Sequence, residues 1–282
     1  MTQVNLKNID TQDIELELLL QAVFMKYGYD FRNYTKSHLK RRIHQRLRLS
    51  NIKTISELQN RVLWDKSFFR VLLQDLSINV TEMFRDPEFY KSFRQNVIPN
   101  LKTYAHIKVW HAGCSTGEEV YSLAIILKEE KLLSKSQIYA TDINKNVLEI
   151  ARQGIYTKKD MELYGQNYSK AGGTGKLSDY YTSKYGSVIF DKSLSKNIVF
   201  ADHNLVIDSA FAEVNLVFCR NVLIYFDKSL QEKVLGLFSN SLAKRGFLCL
   251  GTKESLKFTS HEKDFDTVDK ELKIYKKLTV SK

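Results

Sequence analysis

Across 282 residues the chain carries 43 Lys and Arg against 32 Asp and Glu, a formal net charge of +11, with 43% hydrophobic residues and only two prolines. That balance belongs to the globular class, and the length accommodates one sizeable core plus a small accessory domain. No apolar run approaches the roughly 20 residues that a membrane helix requires, and Cys114, Cys219 and Cys249 share no spacing that predicts a disulfide framework or a zinc site.

Met1-Thr2-Gln3-Val4-Asn5 has neither a basic start nor an apolar signal core, so a cytoplasmic protein is expected. The apolar face of residues 14–24 repeats at helical spacing, and Gly28 is placed to end that helix. Residues 36–49 form a second helix with Leu39, Ile43 and Leu47 on one face. Its remaining surface carries Lys36, Lys40, Arg41, Arg42, Arg46 and Arg48 with no acidic residue. A charge run of this kind is ordinarily a solvated face, but helices gain from opposite charges at i,i+4, and their absence points to an acidic partner. Amphipathic segments follow at 55–64 and 67–76, and Asp86-Pro87 supplies an N-cap and first-turn proline for a helix running toward Val97. An all-α N-terminal domain over residues 1–78 and a linker with a helix over 79–104 are therefore expected.

From residue 107 the pattern alternates. Strands are predicted at 107–111, 138–141, 198–200, 214–219 and 247–251, with helices at 118–130, 145–152 and 228–243. This is the signature of a doubly wound, Rossmann-like α/β domain over 105–282. Residues 165–196 change character, and Gly172-Gly173-Thr174-Gly175 with a Ser/Tyr/Lys-rich stretch reads as loops around a small β hairpin. The six histidines show no ligand spacing, so no metal is expected.

The densest signal is Val109-Trp110-His111-Ala112-Gly113-Cys114-Ser115-Thr116-Gly117-Glu118-Glu119, a strand, a glycine-rich turn and a helix start. The next predicted strand ends in Asp142, where nucleotide-binding folds place an acidic residue against a ribose. A pyrophosphate favours a helix start free of negative charge, whereas here two glutamates occupy it. The cofactor should present a positive group and carry no phosphate, and S-adenosyl-L-methionine satisfies both conditions. Read alone, the glycines equally well only shape a turn.

Two further motifs decide between these readings. Ser77-Ile78-Asn79-Val80-Thr81-Glu82-Met83-Phe84-Arg85-Asp86 precedes the loop, and Phe218-Cys219-Arg220-Asn221-Val222-Leu223-Ile224-Tyr225-Phe226-Asp227 follows it. With the loop and Ala140-Thr141-Asp142-Ile143-Asn144, they resemble the chemotaxis-receptor glutamate methyltransferases, the CheR family, in order from about Tyr27 to the C-terminus. The resemblance implies an S-adenosylmethionine-dependent methyltransferase domain and a late segment around 273–277 that closes the sheet as an antiparallel edge. It carries Asn79, Thr81, Arg85, Asp142, Asn204, Leu205, Arg220 and Asn221 over as cofactor contacts, beside the Gly113 to Gly117 backbone and one of Glu118 and Glu119. Arg85 is expected at the methionyl carboxylate, since its planar fork matches that group.

The implied activity is methylation of glutamate carboxylates on a chemoreceptor, with S-adenosyl-L-homocysteine as product. A glutamate near pKa 4.3 is already ionised at neutral pH, so no general base is needed, and positioning supplies roughly 7 to 11 kcal/mol in well-oriented systems. Tyr225 is read as a wall or donor of the acceptor pocket, against the alternative of a packed core tyrosine. His111, Cys114 and Cys219 read as packing residues. Lys40, Arg41, Arg42, Arg46 and Arg48 are the docking candidates for an acidic helical bundle of the receptor's cytoplasmic domain, with Arg42 and Arg46 foremost. A monomer that binds no nucleic acid and inserts into no membrane is expected. The stretch before Val188 lacks the Arg-Gly-Thr-Gly element of many relatives, so the resemblance does not extend to gripping a receptor tail peptide. Rival readings are a nucleic-acid methyltransferase and a non-catalytic adaptor that binds S-adenosylmethionine.

Overall fold

The computed structural model describes residues 10–77 and 81–279, and the chain divides into two compact units. The first comprises Met1–Ile78 with Tyr225–Leu230. Its helices are α1 (Thr11–Tyr27), α2 (Lys36–Ser50), α3 (Ile55–Trp64) and α4 (Lys66–Leu76). Local chemistry sets their ends. Asp10, Thr54 and Asp65 cap α1, α3 and α4 through side-chain oxygens that accept backbone N–H groups. Gly28, at φ 76°, ends α1 in the left-handed region that only glycine enters freely. Leu16, Leu19, Leu20 and Val23 of α1 meet Leu39, Ile43 and Leu47 of α2 and the phenylalanines of α4 in one core. The 225–230 segment joins this unit through Phe226, whose ring lies 4.9 Å from that of Tyr34, and through the Asp227 N–H, which donates to the Asn33 carbonyl at 2.9 Å.

The second unit comprises Asn79–Ile224 and Gln231–Lys282. It begins with α5 (Pro87–Asn96) and α6 (Ile98–Lys102), and then alternates through β1 (Ile107–Ala112), α7 (Glu118–Glu129), β2 (Ser136–Asp142) and α8 (Lys145–Gln153). After these come β3 (Ile155–Thr157), α9 (Met161–Lys170), β4 (Tyr181–Lys184), β5 (Ser187–Phe190) and α10 (Lys192–Ser195). The chain finishes with β6 (Ile198–Asp202), β7 (Val214–Cys219), α11 (Lys228–Ser241), β8 (Leu242–Leu250), β9 (Phe265–Asp269) and β10 (Ile274–Lys277). The main sheet has the order β6-β2-β1-β7-β8-β10-β9. Its first five strands are parallel, and β10 pairs antiparallel with both of its neighbours, β8 and β9. The chain winds outward from β1 through β2 to β6 and then returns to β7 on the other side of β1. That reversal creates a switch point at the carboxyl ends of β1 and β7, where α/β sheets hold ligands.

Three expectations need correction. The strand at 274–277 is not the edge: β9 lies outside it, and its run Phe-Asp-Thr-Val-Asp offers too little apolar alternation to announce a strand. The start of the 165–196 region is helical, because Met161, Tyr164 and Tyr168 bury one face of α9 although Gly165 sits within it. The hairpin β4–β5 is extended by β3 into a separate sheet of order β3-β5-β4, a three-residue strand too short for periodicity to reveal.

Candidate active site

The glycine loop is tied to the tip of β2. Gly113 and Cys114 N–H groups donate to the Thr141 carbonyl at 2.8 and 2.9 Å. Ser115 N–H donates to Asp142 Oδ2 and Asn144 N–H to Asp142 Oδ1, each at 2.9 Å. Burial raises the Asp142 pKa while these N–H donors pull it back. With the Ile143 N–H also reaching this carboxylate, Asp142 keeps part of its acceptor capacity for a ligand hydroxyl. Gly113 (φ 72°) and Gly117 (φ 93°) adopt left-handed backbone, and a Cβ at Gly113 would stand 2.5 Å from Val222 Cγ2. In the same loop, Ser115 Oγ is buried with no hydrogen-bond partner among the described residues. An orphaned buried hydroxyl is costly unless a ligand meets it.

Glu118 and Glu119 are equally buried yet differently placed. Glu119 Oε1 pairs with the Arg220 guanidinium and accepts the Tyr90 hydroxyl at 3.0 Å, while Oε2 lies 3.3 Å from His111 Nε2. Burial opposes its charge, but Arg220 and His111 outweigh it and hold the carboxyl at about 2. Glu118 accepts the Thr116 hydroxyl at 2.6 Å and has no ion pair among the described residues. Burial pushes its pKa up to about 7 despite that bond. The second glutamate is committed to the protein, whereas the first has acceptor capacity left.

Arg220 is a fully buried cation, expected as a cofactor contact. Its guanidinium bonds Glu119, Asp86 at 2.8 Å and the Arg85 carbonyl at 3.2 Å, and lies 4.0 Å from the centre of the Phe89 ring. These contacts hold the linker. Asp86 sits at the N-cap position of α5 but makes no side-chain cap bond, because its carboxylate faces Arg220. Phe84 and Asp86 flank Arg85 in left-handed backbone, and Phe84 N–H donates to Ser122 Oγ at 2.9 Å. Arg85 and Thr81 are half-buried, and Asn79 lies outside the described residues. Asn204 shapes the turn after β6, its N–H donating to Asp208 and its side chain accepting Val206 N–H, with Leu205 buried beside it. Asn221 stands at φ 61°, and its N–H donates to Glu254 at 3.0 Å. Burial raises the thiol pKa of all three cysteines, which leaves them unreactive.

Tyr225 belongs to the helical unit. Its carbonyl accepts Thr35 N–H at 2.9 Å, and its ring meets His38 edge-on at 5.6 Å. On α2, carboxylates from neighbouring helices reach some of the cations: Lys36 pairs with Glu17, Lys40 with Asp13, and Arg46 with Asp75 through two bonds. Arg46 therefore does not present a free guanidinium, contrary to expectation. Reading the helix alone could not show which partners stand across from it. Arg41 and Arg48 are exposed, and Arg42 is half-buried. The reading from sequence missed Glu254 and Tyr90, neither of which belongs to a recognisable spacing, and it read Ser115 only through the backbone of its loop.

Residues 79–274 match the SAM-binding domain of CheR methyltransferases, and residues 14–77 match their all-alpha domain. The chain belongs to the CheR methyltransferase family. It is 53% identical over 265 residues to Cher3 of Pseudomonas putida, covering 94% of this chain and 97% of that one. It is 30% identical to a chemotaxis protein methyltransferase of Borreliella burgdorferi, covering 89% and 91% of the two chains. A match at 28% identity covers 84% of this chain but 25% of an uncharacterized 104.1 kDa protein of Rhodobacter capsulatus. The cofactor is S-adenosyl-L-methionine, and the groups around the loop fit it: among the described residues Glu118 has no ion pair, Asp142 is a carboxylate acceptor, and the buried Ser115 hydroxyl has no hydrogen-bond partner. Among the described residues, no cluster of His, Cys, Asp or Glu could hold a metal, and no helix is long and apolar enough to cross a membrane.

Proposed function

We propose that this chain methylates glutamate side chains of a chemoreceptor, yielding methyl esters and S-adenosyl-L-homocysteine. The observation that carries the reading is the match to both CheR domains along nearly the whole chain, with relatives named chemotaxis protein methyltransferase. The bound cofactor supplies an electrophilic methyl on a sulfonium. In this reading Asp142 accepts the ribose hydroxyls, Glu118 faces the methionyl ammonium and Arg85 its carboxylate, with Asn79, Thr81 and Leu205 completing the contacts. Arg220 acts one step back by fixing Arg85 and Glu119. The 221–224 turn forms the wall of the acceptor site. An ionised acceptor needs no base, so the protein's task is alignment and exclusion of water.

Receptor docking falls to the cations of α2 that lack carboxylate partners among the described residues. Arg41 and Arg48 are seven residues apart, about 10 Å along the helix axis, on the side opposite Leu39, Ile43 and Leu47. They suit an acidic helical bundle, with Arg42 beside them. The test is incubation of the protein and labelled S-adenosylmethionine with membranes of its source organism. Base-labile label on receptor protein is the expected result. Label on nucleic acid, or none on any acceptor, overturns the reading.

A further inference from the structure

β8 ends beside β7 at the carboxyl edge of the sheet, and the turn beyond it carries Glu254, only 4% exposed. The Glu254 carboxylate gathers four backbone N–H groups. Oε2 accepts from Asn221 at 3.0 Å and Gly251 at 2.5 Å, and Oε1 accepts from Leu223 at 2.7 Å and Ile224 at 3.3 Å. A carboxylate has about four acceptor directions, so none remains for a ligand or a proton in transit. Among the described residues, no cation pairs with it. Burial raises its pKa, and the N–H donors supply the opposing stabilisation.

Such an arrangement is a costly way to build a turn, because an uncompensated buried anion is strongly disfavoured. Two neighbours are shaped around it. Asn221 is held at φ 61°, and a Cβ at Gly251 would stand 2.7 Å from Asn221 N and 2.9 Å from Glu254 Oε2. The turn so fixed also abuts the cofactor loop, since Val222 fills the space where Gly113 lacks a Cβ.

We propose that Glu254 is a positioning residue for methyl transfer: it locks the 221–224 backbone so that the acceptor wall stands at a fixed distance from the cofactor loop. This rests on the reading of 221–224 as that wall. Displacements of about 1 Å near reacting groups cost on the order of a hundredfold in rate, so such a lock has kinetic weight.

The experiment compares the full chain with Glu254→Gln, Glu254→Asp and Leu256→Ala, the last a buried residue nearby whose truncation lowers stability while the four bonds to Glu254 remain. Gln keeps one acceptor oxygen and points an NH2 at two N–H donors. Expected for Glu254→Gln is a kcat at least about tenfold lower at saturating cofactor and receptor, with receptor KM within about twofold because docking lies elsewhere. Amide exchange should accelerate selectively at 221–224. Leu256→Ala should keep its kcat despite a similar fall in melting temperature. A kcat loss shared by Leu256→Ala, or unaltered exchange at 221–224, overturns the proposal. If the Gln variant does not fold, Glu254→Asp, which keeps the charge but shortens its reach, faces the same two criteria. If the parent chain labels no receptor, the functional reading fails. The exchange comparison then still decides whether Glu254 holds the turn.

Discussion

Glu118 offers a test in which two adjacent glutamates predict opposite outcomes. Its carboxyl is raised to about 7 in the free protein, so near neutrality it is half protonated and only its ionised form can oppose an ammonium. If the bound state requires the carboxylate, cofactor affinity scales with the ionised fraction, and the dissociation constant should rise about eightfold from pH 7.5 to pH 6. Binding should also release protons, approaching one per cofactor as pH falls below about 7, which calorimetry in buffers of different ionisation enthalpy reads directly. Glu118→Gln should abolish the pH dependence and weaken binding at pH 7.5 by roughly 1.5 to 3 kcal/mol, the range for hydrogen bonds to charged groups. Linkage gives a second readout. A carboxyl whose folded pKa lies above its unfolded value of 4.5 contributes stability that is complete below about pH 4.5 and lost as pH rises through about 7. The shift from 4.5 to about 7 corresponds to about 3 kcal/mol, so the cofactor-free Gln variant should lack that part of the pH dependence. An ammonium held instead by Glu119, already ionised above about pH 2, gives affinity flat across this window. A dissociation constant constant within twofold refutes the assignment to Glu118.

Other perturbations follow from the same geometry. Gly113→Ala places a side chain in left-handed backbone and against Val222, so it should cost at least about 1 to 2 kcal/mol and weaken cofactor binding; adding Val222→Ala should recover only the steric part, as read by thermal melts. Arg220→Met strands the buried Glu119 carboxylate and should destabilise by roughly 3 to 5 kcal/mol, which denaturant titration measures. Charge reversal of Arg41 and Arg48 together should raise the receptor KM and flatten its salt dependence while leaving cofactor affinity and melting temperature unchanged. Parental receptor kinetics at low salt would remove α2 as the docking surface.

Local signals carried most of the fold. The α1 terminus at Gly28, the first-turn proline of α5 at Pro87 and the apolar strand β7 are each determined within a few residues, where periodicity and helix-end chemistry act. What escaped was determined across the chain. β9 is held by pairing with β10, and β3 pairs with β5 some thirty residues later, so neither needs strong propensity of its own. The cofactor loop was readable because backbone turns impose glycine at fixed spacing. Glu254 was not, because a single glutamate after a strand looks like any solvated residue until the four N–H groups around it are known.

The two glutamates at the start of α7 show where that limit falls. They share a residue type, a helix turn and the same degree of burial, so nothing in their local sequence separates them. Adjacent positions on a helix point about 100° apart, and that rotation sends Glu119 toward Arg220 just past β7, Tyr90 of α5 and His111 of β1, while Glu118 accepts the Thr116 hydroxyl and meets no cation among the described residues. The resulting separation, about 2 against about 7, arises from partners up to a hundred residues away. Equal burial thus produces a permanent anion that fastens the linker and a titratable one that a cation can claim. The same desolvation that would penalise Glu118 alone strengthens its attraction to a ligand's positive charge, which is why a carboxylate with no cation beside it among the described residues, at the start of the helix after a glycine loop, is informative about what binds there.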